Sequence, residues 1–512
     1  MKKLTTFLQP PIRKNVFWPP FLLILAAVGT SLINADFFES SMEGINNFIL
    51  DHFSLLFSYS SFAMVITCAL VGFSPLGKVR IGGKTAKPKF NRISWFSIVL
   101  CTTVAVGILF WGSAEPLFHY LYPPSFTSNP SGSEAAAQFS MGAIFLHWGL
   151  TPYAIYAIPS LGIALAIYNT KLTFSLSSPL APLIGKKHRP VLAALIDMIC
   201  LFALVAGMSA SLGAGILSIS GGLSDQWPHL NRTFLLPVVT LVIICTFILS
   251  AASGIERGIK NLSQLNFFFF VLFSIFILCI GPTSAMVDAA YWGIKSYLKE
   301  VLPLSLQWGD VRNSDWSQSW SVFNWANWMA WAPITALFLG KIAYGRTVRE
   351  FLLFNWLLPA AFCLCWMSIF GGSTLHYAAQ DTTLFKNLLE TIGPESIIYQ
   401  VFGEIGFTNL LRPAFVTAMF ISYVTAADSS TEAMASLSMK KFSLERFDSD
   451  TNLKVIWGTL VGLLAWIMIT FTGIDGIKML SNLGGLPALL LLSGITISLN
   501  FLMWNPTKYL HR

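Results

Sequence analysis

Residues 321–351 read SVFNWANWMAWAPITALFLGKIAYGRTVREF. Trp325, Trp328 and Trp331 follow at steps of three, an apolar run of membrane length passes through Pro333, and the stretch closes on Lys341, Arg346 and Arg349. With about 100° between successive residues of a helix, Asn327, Trp328 and Trp331 share one face. Tryptophan also gathers at membrane interfaces as an anchoring belt, and Trp320 and Trp325 are read that way. Trp328 and Trp331 differ. Counted back at about 1.5 Å per residue from a basic cluster at the cytoplasmic surface, they fall roughly 15–20 Å into a bilayer. Indoles at that depth, beside a helix-weakening proline, suit a cavity wall. Aromatic faces meeting in a cavity attract a cation, above all a quaternary ammonium that donates no hydrogen bond.

Working outward, the 512 residues are 54% hydrophobic and 11% charged, against about 25% charged in a soluble chain. The chain is therefore an integral membrane protein. Its net charge of +8 would point to nucleic acid in a soluble protein, but here Lys and Arg sit mainly in alternate short loops, as the positive-inside rule requires. The seven cysteines fall in apolar runs without a loop framework or metal-ligand spacing, so buried structural thiols are expected. Lys2, Lys3, Arg13 and Lys14 precede the first apolar run, and no small-residue cleavage pattern follows, so that span is expected to be retained.

Segments long enough to cross a bilayer fall at about 16–35, 52–73, 94–117, 138–168, 190–218, 233–255, 265–282, 319–343, 351–375, 414–439, 454–473 and 482–504. The loops between them alternate. The leading tail is basic, the next loop carries Asp36, Glu39, Glu43 and Asp51, and the next holds Lys78, Arg80, Lys84, Lys87, Lys89 and Arg92. An even number of spans keeps this alternation and puts both termini in the cytoplasm. Residues 284–302 are amphipathic, with Met286, Ala290, Ile294, Tyr297 and Leu298 expected on one side of an outer-surface helix. Residues 375–413 form a long outer loop with room for a short helix. The ten spans after the first two divide into two fives, which face opposite ways because five is odd. Each half opens on a tryptophan-bearing interruption, expected at Phe110-Trp111-Gly112 and at Trp328 to Pro333, a pattern many transporters use around a midplane site.

A second aromatic stretch, His147-Trp148-Gly149-Leu150-Thr151-Pro152-Tyr153-Ala154-Ile155-Tyr156, lies mid-span. Trp148, Tyr153 and Tyr156 share about a 140° arc of helix and either complete a box with Trp328 and Trp331 or simply pack between helices. His147 is read as a packing residue and Glu115, before Pro116, as a solvated group near the outer boundary. Asp428 is an acid inside a span, either functional or a cap or ion-pair partner near the cytoplasmic end. Asp197 lies about two helical turns from Arg189 and is expected to pair nearby. Residues 254–260, with Arg257, read as a turn and gate element. A membrane-embedded enzyme would need His, Asp or Glu clustered at depth, and no such cluster is visible along the sequence. A channel would favour pore-lining repeats over a closed box.

The ordered run of PLGKVRIGGKTAKPKFNRISWFS, FWGSAEPL, HWGLTPYAIY, SGIERGIKNLSQLN, WANWMAWAPITALFLGKIAYGRTVREF, SIFGGS, VTAADSST and LGGLPALLLL resembles the betaine/choline/carnitine transporter family from about residue 10 onward. The resemblance implies an all-helical fold of about twelve transmembrane helices. In it a leucine-transporter-like five-plus-five inverted repeat (94–282 and 319–504) follows two peripheral helices (16–73). An outer amphipathic helix (283–302) lies between the repeats, and short cytoplasmic tails (1–15, 505–512) close the ends. It also implies a homotrimer in the bilayer and secondary transport of betaine, choline, carnitine or a related methylated amine by alternating access, without a cofactor or enzymatic activity.

Carried over residue by residue, the family's substrate box falls on Trp148, Tyr153, Tyr156, Asn327, Trp328 and Trp331, with Arg257, Arg346 and Arg349 at the cytoplasmic side. Asn327 and Tyr153 stand where the family commonly has Trp. An amide in place of an indole adds a hydrogen-bond donor and acceptor, which opens an alternative: a smaller, more polar, amino-acid-like solute. Coupling residues map to Val104 in the third span and to Thr425, Ala426 and Asp428 in the tenth. Sodium-coupled members resemble one another in a Thr-Ser pair where this chain has Thr425-Ala426, so Na+ symport, H+ symport and exchange all stay open. The chain stops soon after Trp504, and no tail-based osmotic switch is expected.

Overall fold

In hydrocarbon every backbone amide and carbonyl must find its partner within the protein, which leaves helices or a closed barrel. The computed structural model describes residues 12–103, 107–172, 175–185, 190–227, 229–253, 256–439 and 450–504, and it takes the helical solution. Among the described residues the only β-bridges are isolated, joining Ile12 to Met439 and Arg80 to Thr347.

Two helices lead, α1 (Lys14–Ile33) and α2 (Ala35–Phe73). The first half follows as α3 (Arg92–Thr103), α4 (Gly107–Leu121), α5 (Glu134–Trp148), α6 (Leu150–Tyr168), α7 (Pro190–Gln226), α8 (Arg232–Ser253) and α9 (Glu256–Ile280). A linking helix, α10 (Thr283–Leu306), leads to α11 (Phe323–Ile342), α12 (Leu358–Gln380), α13 (Thr382–Thr391), α14 (Ile397–Ile405), α15 (Thr408–Ser438), α16 (Thr451–Phe471) and α17 (Gly473–Trp504). Taking α3 with α4 and α5 with α6 as broken spans, a helix stands at each of the twelve expected places. Among the described residues eight helices, with α5–α6 counted as one, are long and apolar enough to cross a membrane, or up to 10 if the bent pairs α3 with α4 and α9 with α10 each make one span. Thr233–Leu249 within α8 is a shorter apolar stretch, and α11 is diluted by Asn324, Asn327 and its indoles.

The two halves pack reciprocally. The opening span of each half lies against the second span of the other, α4 on α12 and α11 on α6. The third spans, α7 and α15, pack on each other, and the last span of each half contacts the third span of the other, α17 on α7 and α9 on α15. This is the contact pattern of a five-plus-five repeat, with α1 and α2 outside it. In the most apolar 18-residue window of α5–α6, 94% is buried, against 33% and 39% for α1 and α2, so a site on α5 and α6 lies deep in the protein.

Four expectations need correcting. The helix α11 runs unbroken through Pro333, whose missing N–H costs a single internal bond. The irregularity precedes it as a π-helical turn, Ser317–Val322, the kind of local widening often found at functional sites. Likewise α4 is continuous through Phe110-Trp111-Gly112, and its axis is bent 58° from that of α3. The helix α10 does not simply rest on a surface, since it packs on α5 and α12. It buries Met286 and Gly293 there and turns Val287, Tyr291, Ile294 and Leu298 outward. Not every cysteine is buried, for Cys245, Cys279 and Cys365 are exposed. The outer segment 375–413 holds α13 and α14.

Between α5 and α6 the chain leaves helical geometry at one residue, Gly149, with φ −96 and ψ −125. A Cβ there would come within 2.4 Å of the Phe145 carbonyl oxygen and 3.2 Å of the Leu364 side chain. Pro152 then falls in the first turn of α6, where its missing N–H leaves no helix bond unmade. The notch sets Trp148 on the last residue of one helix and Tyr153 and Tyr156 on the opening turns of the next. Gly149→Ala is expected to lower the thermal midpoint of the purified protein, with an overpacking cost of about 1–3 kcal/mol. Gly29→Ala, in α1 with nothing within 4 Å, is expected to leave the midpoint unchanged or raise it.

Candidate functional site

The notch in α5–α6 faces α11, and Trp328 fills the space between them. Its ring centroid lies 5.7 Å from Trp148, 5.5 Å from Tyr153 and 4.9 Å from Tyr156, with interplanar angles of 71°, 58° and 59°. Such tilted and edge-on contacts are the favoured meetings of aromatic quadrupoles. All four side chains are buried. The Tyr153 hydroxyl lies 3.0 Å from Cys363 Sγ on α12, and the Trp148 indole N–H donates to Glu115 Oε2 at 2.8 Å. The Trp328 Nε1 donor is buried with no partner among the described residues. Asn327 and Trp331 turn to another side of α11. Asn327 Oδ1 accepts from the Ser481 hydroxyl on α17 at 3.2 Å, and Trp331 lies over Gly207 of α7.

Behind Trp148 is a polar cluster that the sequence reading did not assemble. Glu115 is not solvated but fully buried on α4. Its Oε1 lies 2.5 Å from His147 Nδ1 and 3.5 Å from His119 Nε2. His147 Nε2 meets the Ser321 hydroxyl at 2.9 Å, and Trp316 donates its indole N–H to His119 Nδ1 at 3.1 Å. On the outer flank Lys478 sits 4.7 Å over the Trp320 ring, 4.0 Å from Asp475. Ser321 and Trp320 come from the π turn before α11 and Trp316 caps it, so the widened turn builds one wall of the cluster.

His, Glu and His at this spacing have the composition of a metal site, and the ligand atoms lie within 4.8 Å of one another. The hydrogen bonds argue otherwise. Because His119 Nδ1 accepts from Trp316, the proton of a neutral His119 is on Nε2, the atom that faces Glu115, so no lone pair is offered there. His147 Nδ1 is already engaged with the carboxylate. The arrangement suits proton-sharing rather than coordination.

Of the coupling candidates on α15, Thr425 spends its hydroxyl on the Ile421 carbonyl one turn back, 2.7 Å away. Ala426 offers no side-chain oxygen, and Asp428 is buried. Val104 lies outside the described residues, as does the side chain of Arg257. Asp197 pairs with Arg13 of the leading segment at 2.7 Å, while Arg189 lies outside the described residues. At the other end of α11, Arg346 is buried, bonded to Glu350 Oε1 at 2.8 Å and to the Phe90 carbonyl, and stacked 4.5 Å over Trp95. Arg349 is exposed and reaches the Gly72 carbonyl at 2.8 Å. The two arginines clasp the loop after α11 to the segment after α2.

What reading the sequence missed is mostly long-range. The step of four from Glu115 to His119 was a visible signal, since it sets both on one helix face. The approach of His147, 32 residues on, needed the fold.

A family model described as "BCCT, betaine/carnitine/choline family transporter" matches residues 15–507. The glycine betaine transporter OpuD of Bacillus subtilis is 30% identical over 478 residues, covering 92% of this chain and 91% of its own. The osmo-dependent choline transporter BetT2 of Acinetobacter baylyi is 27% identical over 93% of this chain and 69% of its own. The ectoine/hydroxyectoine transporter of Virgibacillus pantothenticus is 26% identical over 91% of each. Among solved structures, a Na+-coupled sialic acid symporter in a substrate-bound outward-open state aligns with 88% of this chain and 86% of its own, at 14% identity and a TM-score of 0.48.

Arg346→Ala strips a buried guanidinium from the Phe90 carbonyl and the Trp95 ring, while Glu350 keeps Arg92 at 3.0 Å, so it is expected to destabilise the protein by about 1–3 kcal/mol. Arg349→Ala, at the surface, is expected to cost less than about 1 kcal/mol. Denaturant or thermal unfolding of the two variants in the same detergent checks the ordering.

Proposed function

The chain belongs to the betaine/carnitine/choline transporter family, and on that premise we propose that it carries a quaternary-ammonium or related zwitterionic solute across the membrane by alternating access. The observation that carries this reading is the convergence of Trp148, Tyr153 and Tyr156 on the ring of Trp328. A trimethylammonium group donates no hydrogen bond and is held best by aromatic faces, at about 0.5–2 kcal/mol per ring once desolvated. The Trp328 N–H, unpartnered among the described residues, offers a donor for an acceptor on the same solute, a carboxylate or hydroxyl. In this arrangement the four rings touch one another, so a guest enters by parting Trp328 from the α5–α6 notch. Relatives named for glycine betaine, choline and ectoine support the class.

The alternative, a smaller and more polar solute, drew on the amide of Asn327, whose oxygen already accepts from Ser481. Sodium coupling through paired hydroxyls on α15 lacks one of the pair, because Ala426 has no oxygen to give, while Thr425 donates its proton to the Ile421 carbonyl and keeps its lone pairs for a cation. A homotrimer is supported by the outward apolar stripe Val287, Tyr291, Ile294 and Leu298 on α10, which a second copy would cover. The basic loops and the bacterial relatives support an inner membrane with cytoplasmic termini.

In proteoliposomes, Trp328→Ala is expected to raise the KM for choline or betaine by about ten- to a hundredfold, with a smaller change for Trp331→Ala. A neutral isostere with a tert-butyl group in place of trimethylammonium is expected to compete poorly. Equal competition by that isostere would overturn the aromatic-box reading. Uptake driven in turn by a sodium gradient, a proton gradient or internal solute identifies the coupling.

A further inference from the structure

A carboxylate and two imidazoles are expensive to keep at the centre of a membrane protein, and side chains of this kind inside spans are there for function more often than for packing. Here they stand directly behind a wall of the solute site, joined to it by one hydrogen bond, and the solute reading gives them no task.

We propose that Glu115 and His147 form a binding site for a single proton, which communicates with the solute site through the indole of Trp148. The geometry limits which groups exchange it. On α4, His119 is held neutral, because a proton on Nδ1 would face the indole N–H that Trp316 donates there. On α5, His147 has one nitrogen on Glu115 and the other on Ser321. The serine hydroxyl can turn to accept from an imidazolium or to donate to a neutral ring, so His147 changes charge without leaving a buried polar group unpaired. On α17, Lys478 lies within electrostatic reach of Glu115, with Asp475 beside it. The π turn adds Ser321 and Trp320, and Trp316 lies beside it; none of these titrates in the working range. The pair therefore has two states: carboxylate with imidazolium, net neutral, and carboxylate with neutral imidazole, net negative, with Lys478 as the remaining counter-charge.

The sign of the coupling follows. A cation entering beside Trp148 favours the negative state of the cluster, so binding of a cationic solute expels the proton. By reciprocity, protonation weakens binding of that solute by the same factor. A charge interaction across one indole at the effective dielectric of a protein interior is worth on the order of tenfold. Choline carries a full positive charge and glycine betaine a compensating carboxylate, so betaine expels less. The site itself stands on the cluster's geometry; only its link to a cation rests on the solute reading above.

The test uses the full chain, purified and reconstituted in lipid nanodiscs, with choline and glycine betaine as probes. Calorimetry in two buffers of different ionisation enthalpy is expected to record proton release on choline binding, and less on betaine binding. The choline Kd is expected to fall about tenfold between about pH 5.5 and about pH 8.5. Glu115→Gln and His147→Gln are expected to abolish both effects. Choline binding with no proton release and a flat pH profile in the wild type would overturn the site while leaving the solute reading intact. Should neither probe bind, the solute reading fails and the site is judged without it. A jump from about pH 8.5 to about pH 5.5 should then give one proton less uptake per chain in Glu115→Gln than in the wild type, and equal uptake overturns the proposal.

Discussion

The bond from the Trp148 indole to Glu115 is the interaction on which the site depends. It fixes the plane of a ring that meets Trp328 at a steep angle and whose N–H is tied to a buried acid. Without that acceptor the indole N–H would be a buried donor with nothing to bond, and without the indole one carboxylate oxygen would be in the same position. Each would cost about 1–3 kcal/mol. The aromatic site and the polar cluster are therefore one structure seen from two sides. The rings exclude water from the carboxylate, and the carboxylate orients the first ring.

That coupling explains why the chain breaks its helices where it does. A regular helix through residues 147–156 would carry Trp148 and Tyr153 at fixed angular positions on one rod. The single non-helical residue Gly149 lets α5 deliver His147 and Trp148 to Glu115 while α6 delivers Tyr153 and Tyr156 to Trp328. The π turn ahead of α11 does the complementary work, since its extra width brings Ser321 to His147 and Trp320 under Lys478. Irregular backbone at such depth is tolerated only where protein surrounds it, and the burial of α5–α6 meets that condition.

The span pattern, the two halves and the convergence of α6 with α11 were legible in the sequence because they rest on local quantities: run length, charge alternation and aromatic spacing. The positions of the breaks were less legible. Proline drew attention to Pro333 and Pro152, yet the first sits in an unbroken helix and the second in a first turn where it is harmless. The break fell on Gly149, whose neighbours leave no room for a Cβ. Glu115 looked solvated because a helix end near a boundary is usually wet. Only the fold brings α5 and the π turn over it, and a sequence carries no direct trace of a partner 32 residues away. The reading of Asn327, Trp328 and Trp331 as one face was sound as angular geometry. Three different neighbours surround that helix, however, so residues within a turn of one another meet α6, α7 and α17 separately.

The surroundings of α11 bear on how a closed aromatic cluster can open. On the side away from Trp328 the helix is seated on small residues. A Cβ on Gly485 of α17 would lie 2.5 Å from the Ala326 Cα, and one on Gly207 of α7 would lie 2.8 Å from the Ala330 Cβ. Small residues at a helix interface permit close approach of the backbones and tight packing. On the opposite side Trp328 is wedged among three rings. Dispersion contacts fall off steeply with separation, so parting Trp328 from those rings gives up contacts at the place where the solute binds. A guest that replaces them compensates for that loss, the condition under which binding energy shifts a conformational equilibrium.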